Sequence, residues 1–166
     1  TSQHGAISSN QHRLIMKLRK WQQQAINACL PQFAKGRKLF VIEACTGSGK
    51  SLCSATAALK LIESGKADLI VVLTPNCGTR LGWKKTFDSL SLNGKRVNVT
   101  DDSNFPIDAN VWVSTYAGYA KVEEGLLNRP VSGIIAIIDE FHHPADTAEW
   151  GNAVDRLIAL CEHGIF

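Results

Sequence analysis

Short runs that are apolar at nearly every position, instead of at every second one, constrain this chain most: Leu39-Phe40-Val41-Ile42, Leu69-Ile70-Val71-Val72-Leu73, Val111-Trp112-Val113-Ser114 and Ile134-Ile135-Ala136-Ile137-Ile138. A strand with one wet face alternates between apolar and polar residues, so continuous runs call for cover on both faces. Helical periodicity lies between the runs and supplies that cover. Residues 50–63 read as a helix closed by Gly65, and residues 79–90, 116–127 and 147–163 as further helices. Ahead of the first run, Leu14, Leu18, Trp21, Ala25, Cys29 and Phe33 recur at three- and four-residue spacing, predicting a helix over 14–33 that breaks or bends near Pro31. A weaker strand is expected over residues 96–99. The architecture is therefore α/β, three layers around a mostly parallel sheet, and ligands of such sheets bind beyond the carboxyl ends of the strands.

Composition agrees with a folded domain and narrows its class. The chain has 166 residues, enough for one domain, and 45% are hydrophobic, which excludes a mainly disordered polymer. A formal charge of +3 is too small for the total field to recruit a polyanion, so any basic surface must be local. The cysteines Cys29, Cys45, Cys53, Cys77 and Cys161 are odd in number and form no C-x-x-C pair, which argues against a disulfide framework and a zinc ribbon. Residues 1–13 are polar and read as a flexible N-terminus without the apolar core of a secretory signal. No apolar stretch reaches the roughly 18 residues of a membrane span. A soluble, cytoplasmic protein is expected.

Two segments at strand ends carry chemistry. Ala44-Cys45-Thr46-Gly47-Ser48-Gly49-Lys50-Ser51 joins the first strand to its helix. Gly47 and Gly49 permit backbone conformations in which successive N–H groups face an anion, and the following helix adds its N-terminal dipole. Lys50 supplies a full charge for the β- and γ-phosphates of a nucleotide, and the Ser51 hydroxyl is placed to ligate Mg²⁺. The pattern G-x-x-x-x-G-K-[ST] is met except at its first position, occupied by Ala44. The second segment, Asp139-Glu140-Phe141-His142-His143, ends the most apolar strand in two carboxylates. Charges are costly to desolvate, so their place at a buried strand's end points to Asp139 as a metal-positioning group and Glu140 as the polariser of an attacking water. The His-His pair has no further Cys or His at zinc-ligand spacing.

Thr46 to Ser51 and Asp139-Glu140-Phe141-His142 resemble motifs I and II of the superfamily two helicases and translocases of the DExH kind. Leu18-Arg19-Lys20-Trp21-Gln22 is similar to their adenine-reading L-R-x-[YW]-Q motif, which implies Gln22 on the adenine edge and Arg19 on its face. Pro75 and Trp83 match the end points of motif Ia, P-T-x-x-L-x-x-Q-W, with Thr79 and Gly82 where Leu and Gln are usual. Ser114-Thr115-Tyr116 resembles the T-T-Y segment, followed by Ala117 instead of Gln. The ordered set runs from Leu18 to His142 and implies the first RecA-like domain, over residues 14–166, of an ATP- and Mg²⁺-dependent motor. Restriction enzymes contain similar DExH motors.

The resemblance implies Thr46, Gly47, Ser48, Gly49, Lys50 and Ser51 around the phosphates and Ser51 with Asp139 on the metal. It further implies Lys50, Asp139, Glu140 and His142 in catalysis, and Thr74, Pro75, Thr79, Arg80, Thr115 and Tyr116 along DNA or RNA. A second RecA-like domain, of the same or another chain, is the implied partner. The family's motif III, S/T-A-T on a strand between those of motifs I and II, is not found, so a central strand is expected to be missing. Trp83, Trp112 and Trp150 read mainly as packing residues, whereas Trp21 adjoins the expected adenine site. Lys84-Lys85 and Lys95-Arg96 read as solvated surface. Cys45 lies where oxidation or alkylation would obstruct a nucleotide. The rival readings are a nucleotide or small-molecule kinase, which the single Arg156 after Pro144 disfavours, and a non-catalytic nucleotide-binding module.

Overall fold

The computed structural model describes residues 17–45, 47–101, 108–128, 133–140 and 147–166. The elements are α1 (Lys20–Ala34), β1 (Leu39–Phe40), α2 (Lys50–Glu63), β2 (Leu69–Thr74), α3 (Cys77–Asp88), β3 (Ser91–Leu92), β4 (Lys95–Arg96), β5 (Val99–Thr100), β6 (Val111–Thr115), α4 (Tyr119–Leu127), β7 (Ile134–Ile138), α5 (Thr147–Leu160) and β8 (His163–Ile165). A six-stranded sheet has the order β1-β8-β7-β2-β6-β5, and its paired strands are parallel.

Alternation along β2 explains the layers. Ile70 and Val72 join a core with Ile26, Cys29, Phe33, Ala57, Leu61 and Phe87 of α1, α2 and α3. Leu69, Val71 and Leu73 point the other way, to Tyr119, Val122 and Leu126 of α4 and Val154 and Leu157 of α5. Every residue of β2 and β7 is buried, as the continuous apolar runs require. The small side chains Cys53, Ser54, Ala55, Ala57 and Ala58 on the buried face of α2 let that helix lie close to its neighbours.

Register sets the site. Leu73 lies opposite both Ser114 of β6 and Ile138 of β7, so these central strands end along one line. Backbone bonds continue past that line: Asp139 N–H donates to the Leu73 carbonyl (2.9 Å) and Tyr116 N–H to the Thr74 carbonyl (3.0 Å). The chain's polar segments thus leave the sheet held by the ladder itself.

Several expected boundaries move. Residues 17–19 are not helical and α1 starts at Lys20; it passes Pro31 and ends at Ala34, with the imino acid absorbed in its last turns. Residues 1–16 lie outside the described ones. The strand expected over 96–99 divides into β4, paired antiparallel with β3, and β5 at the sheet edge. Asn93 (φ +50°) and Gly94 (φ +75°) form the two-residue turn between β3 and β4, and both take the positive φ that such a hairpin requires. α4 starts at Tyr119 because Gly118 N–H turns back to the Thr115 carbonyl (3.1 Å).

One expectation is overturned. The strand thought to be missing between β1 and β7 is present as β8: Gly164 pairs with Leu39 and Ala136, and Ile165 with Phe40 and Ile137. Its sequence, His163-Gly164-Ile165, lacks an apolar run, and the helix expected over 147–163 overlaps it only at His163. The strand exists because neighbours on both sides satisfy its backbone, with Phe166 N–H on the Phe40 carbonyl (3.0 Å) and Ile42 N–H on the Phe166 carbonyl (2.9 Å). Among the described residues no helix is long and apolar enough to cross a membrane.

α3 begins at Cys77, earlier than periodicity suggested, because Asn76 caps it: its Oδ1 accepts from Thr79 N–H at 3.0 Å, and Thr79 Oγ1 accepts from Asn76 N–H at 3.3 Å. Asn76→Ala is expected to cost about 1 kcal/mol in urea unfolding, and Asn76→Ser a few tenths at most.

Candidate functional site

The loop from β1 to α2 has the shape its glycines demand. Gly47 (φ +75°) and Gly49 (φ +92°) are both left-handed, and α2 starts immediately afterwards at Lys50. Gly49 is doubly constrained, since a Cβ there would lie 2.6 Å from Gln22 Nε2. Ser48 N–H donates to the Cys45 carbonyl (3.1 Å), closing the turn. Among the described residues the buried Ser48 hydroxyl has no hydrogen-bond partner. Thr46 lies outside the described residues.

The N-terminus of α1 holds this loop from the side. Arg19 Nη1 donates to the Ser48 carbonyl (3.0 Å) and Gln22 Nε2 to the Gly49 carbonyl (2.8 Å), while Gln22 Oε1 accepts from Arg19 N–H (2.7 Å). Gln22 is 2% exposed. In this conformation Gln22 is a buried strut under the loop. Arg19 remains exposed at the loop's flank.

Across the strand ends stands the acidic pair. Asp139 and Glu140 follow β7 directly and are half-buried. Asp139 is held at three points: its N–H by the Leu73 carbonyl, its Oδ2 by Trp83 Nε1–H at 2.9 Å, and its carbonyl by the Tyr116 hydroxyl at 2.7 Å. Burial raises the Asp139 pKa above the usual carboxylate range, helped by the Glu140 charge; the Trp83 bond and the Lys50 charge pull it down without reversing the shift. Glu140 sits at φ +56°, a left-handed conformation that is costly for a side chain of this kind. Lys50 and Glu140 share the wall of a cavity of about 510 Å³, completed by Glu43, Ala44 and the apolar Val41, Ile42, Ile138 and Phe166. His142 lies outside the described residues.

The expected nucleic-acid strip is less uniform. Thr74 is fully buried, its hydroxyl shared between the Asn76 and Ser114 carbonyls, and Tyr116 is 4% exposed with its hydroxyl on Asp139. Both are buried beneath the strip in this conformation. Pro75, Thr79, Arg80 and Thr115 are part-exposed along the same edge. Arg80 Nε (3.6 Å) and Lys84 Nζ (3.0 Å) both approach Asp101. Trp112 is fully buried in the sheet and Trp83 4% exposed, so both pack as expected; the side chain of Trp150 lies outside the described set. Cys45 is exposed in the phosphate-type loop, whereas burial pushes the Cys29 thiol up to about 12 and that of Cys53 to about 11.

Sequence reasoning missed the indole bond of Trp83 to Asp139 and the strut made by Gln22. The signals were present, a Trp one helix beyond the central strand and a Gln at the start of α1, but pairs 56 and 27 residues apart in sequence declare themselves only in the fold.

A mostly parallel sheet with this strand order, a left-handed glycine loop at one strand end and an acidic pair at another, defines a RecA-like, helicase-type ATP-binding domain of superfamily two. The chain belongs to the family described as type III restriction enzyme, res subunit, whose model matches residues 15–162. It is also similar in fold to a nuclease-deletion mutant of the Type ISP restriction-modification enzyme LlaGI, solved in complex with a DNA substrate mimic. That match has a TM-score of 0.59 and 18% identity, and covers 90% of this chain and 17% of that one. A comparison with curated proteins finds no match.

Two predictions follow from the charges and the strain. Burial alone would raise Asp101, but the Lys84 hydrogen bond and the Lys84 and Arg80 charges outweigh it and hold the carboxyl below its ordinary value. A carboxylate held low stabilises the fold above its unfolded-state pKa and loses that contribution as pH falls through the folded-state value. Asp101→Asn should therefore cost between a few tenths and about 1 kcal/mol at neutral pH, and little below the carboxylate range, as read by thermal unfolding across pH. Separately, Glu140→Asn should raise unfolding stability by up to about 1 kcal/mol, because Asn tolerates the left-handed conformation better.

Proposed function

We propose that this domain binds Mg-ATP in the Gly47–Ser51 loop and, together with a second RecA-like domain, couples its hydrolysis to movement on nucleic acid. The observation that carries this reading is the shared cavity: Lys50 and Glu140 line it, and Asp139 lies within electrostatic reach of both. The loop supplies backbone N–H groups and a helix N-terminus for phosphate oxygens, and Lys50 adds a full positive charge at the β- and γ-phosphates.

The residues present fit a Mg²⁺ ion. Among the described residues no group of three or more His, Cys, Asp or Glu could cage a metal alone. Mg²⁺ is commonly held by one or two protein groups, with phosphates and water as its other ligands. Ser51 and Asp139 would hold it, and it would supply neutralisation of charge building on the phosphates. Glu140 accepts a proton from the attacking water while that water is in line with the bond to be broken. Lys50 stabilises charge on the transferred group. His142 is proposed to link this site to the segments along the nucleic acid.

The exposed apolar Leu39 (42%) and Val41 (62%) at the sheet edge by the cavity fit a domain closing over the nucleotide. An arginine delivered by such a domain is worth about 10³ to 10⁵ in rate among phosphate-loop enzymes, so this chain alone is expected to bind nucleotide and hydrolyse it barely. DNA is the nucleic acid favoured, since the similar Type ISP enzyme was solved on a DNA mimic. Pro75, Thr79, Arg80 and Thr115 are the proposed contacts.

Binding of a fluorescent ATP analogue in the presence of Mg²⁺ tests the site. Lys50→Ala should weaken it by about tenfold or more, the loss of one charge-assisted contact. Glu140→Gln should bind as the parent does and fail in hydrolysis when the partner domain is supplied. Unchanged affinity in Lys50→Ala, or robust DNA-stimulated turnover by this chain alone, would contradict the proposal.

A further inference from the structure

We propose that Trp83 is a positioning residue for Asp139, and that with Tyr116 it forms a two-point brace selecting which carboxylate oxygen is offered to the metal. The inference rests on the reading of Asp139 as a Mg²⁺ group, and it concerns how this chain holds that group.

The geometry is specific to an indole. Trp83 Nε1–H lies 2.9 Å from Asp139 Oδ2, and the residue is 4% exposed. Its ring packs against Phe87 with centroids 6.1 Å apart and planes tilted by 31°. An indole N–H is a donor only, and a ring so enclosed cannot turn it towards solvent. Oδ2 thereby gives one of its two lone pairs to the indole and is turned towards Trp83, so Oδ1 is the oxygen with both lone pairs free of that bond. Without the bond the carboxylate torsion is broad and nearly two-fold, so either oxygen could face the loop.

Tyr116 acts on the backbone of the same residue. Its buried hydroxyl donates to the Asp139 carbonyl at 2.7 Å, which fixes the peptide plane leading into Glu140. That plane precedes the left-handed Glu140, so the bond also supports a conformation the chain would otherwise leave. The two donors come from different elements, α3 and the turn after β6, which are the segments that flank the proposed nucleic-acid strip. Groups that orient a metal ligand typically change metal affinity about 10- to 100-fold when removed. A residue that merely fills space there would be replaced by Phe without such an effect.

The test is Trp83→Phe, which keeps an aromatic ring and deletes the N–H. Binding of a fluorescent ATP analogue is titrated with Mg²⁺, and separately measured in excess chelator. Nucleotide affinity in chelator should stay within about twofold, and the Mg²⁺ midpoint should rise about tenfold. In an Asp139→Ala background the same Trp83→Phe change should leave the midpoint where Asp139→Ala alone puts it, as a double-mutant cycle requires of a direct interaction. A parental midpoint in Trp83→Phe, or an equal shift with and without Asp139, overturns the brace while leaving the ATP site standing. Absence of any Mg²⁺-dependent binding by the parent overturns the ATP-site reading and the brace with it. If Trp83→Phe does not fold, Tyr116→Phe decides: a raised midpoint supports the brace and an unchanged one overturns it.

Discussion

Burial of β2 on both faces is the constraint from which the rest of the structure follows. A strand whose six residues are all buried must have its backbone satisfied by neighbours and its side chains covered by helices above and below. β6 and β7 meet the first demand in matching register, and the helices meet the second in two separate cores. Because the central strands end together, the segments that follow them emerge side by side. Asp139 and Tyr116 are neighbours in space for that reason, although each follows a different strand.

Hydrogen bonds hold both sides of the site. The phosphate-type loop is fixed beneath by Gln22 and at its flank by Arg19, and the acidic residue opposite is fixed by Leu73, Trp83 and Tyr116. Preorganised groups need not reorient as charge develops, which is the usual origin of electrostatic catalysis. Two features are placed at a cost to stability: Asp139 is a partly desolvated carboxyl near another, and Glu140 is left-handed. Local strain of this kind is retained where surrounding structure over-determines it, and here the surrounding structure is the sheet end itself.

The layout and both loaded segments were legible in the sequence because continuous apolar runs and a glycine loop are local signals. β7 and α2 were read to the residue, and the strand–loop–helix order put Lys50 and Asp139 on the correct edge. Elements stabilised only by partners were not legible. β8 has a Gly and a His among its three residues and exists because β1 and β7 flank it. The Asn93-Gly94 hairpin was available to a reader of turns, yet the neighbouring valines drew the strand assignment past it. Within the site, Gln22, Thr74 and Tyr116 face inward, since each finds a buried partner that a sequence pattern cannot display.

The central claim, that this edge of the sheet is a Mg-ATP site, is tested most directly by an experimental structure with a non-hydrolysable ATP analogue and Mg²⁺. The account predicts the triphosphate along Gly47–Ser51, Lys50 at its β- and γ-oxygens, and the metal between Ser51 and Asp139, with the Trp83–Asp139 bond retained. A nucleotide bound elsewhere on the domain, or a triphosphate in the loop with Asp139 turned away from the metal, would contradict it.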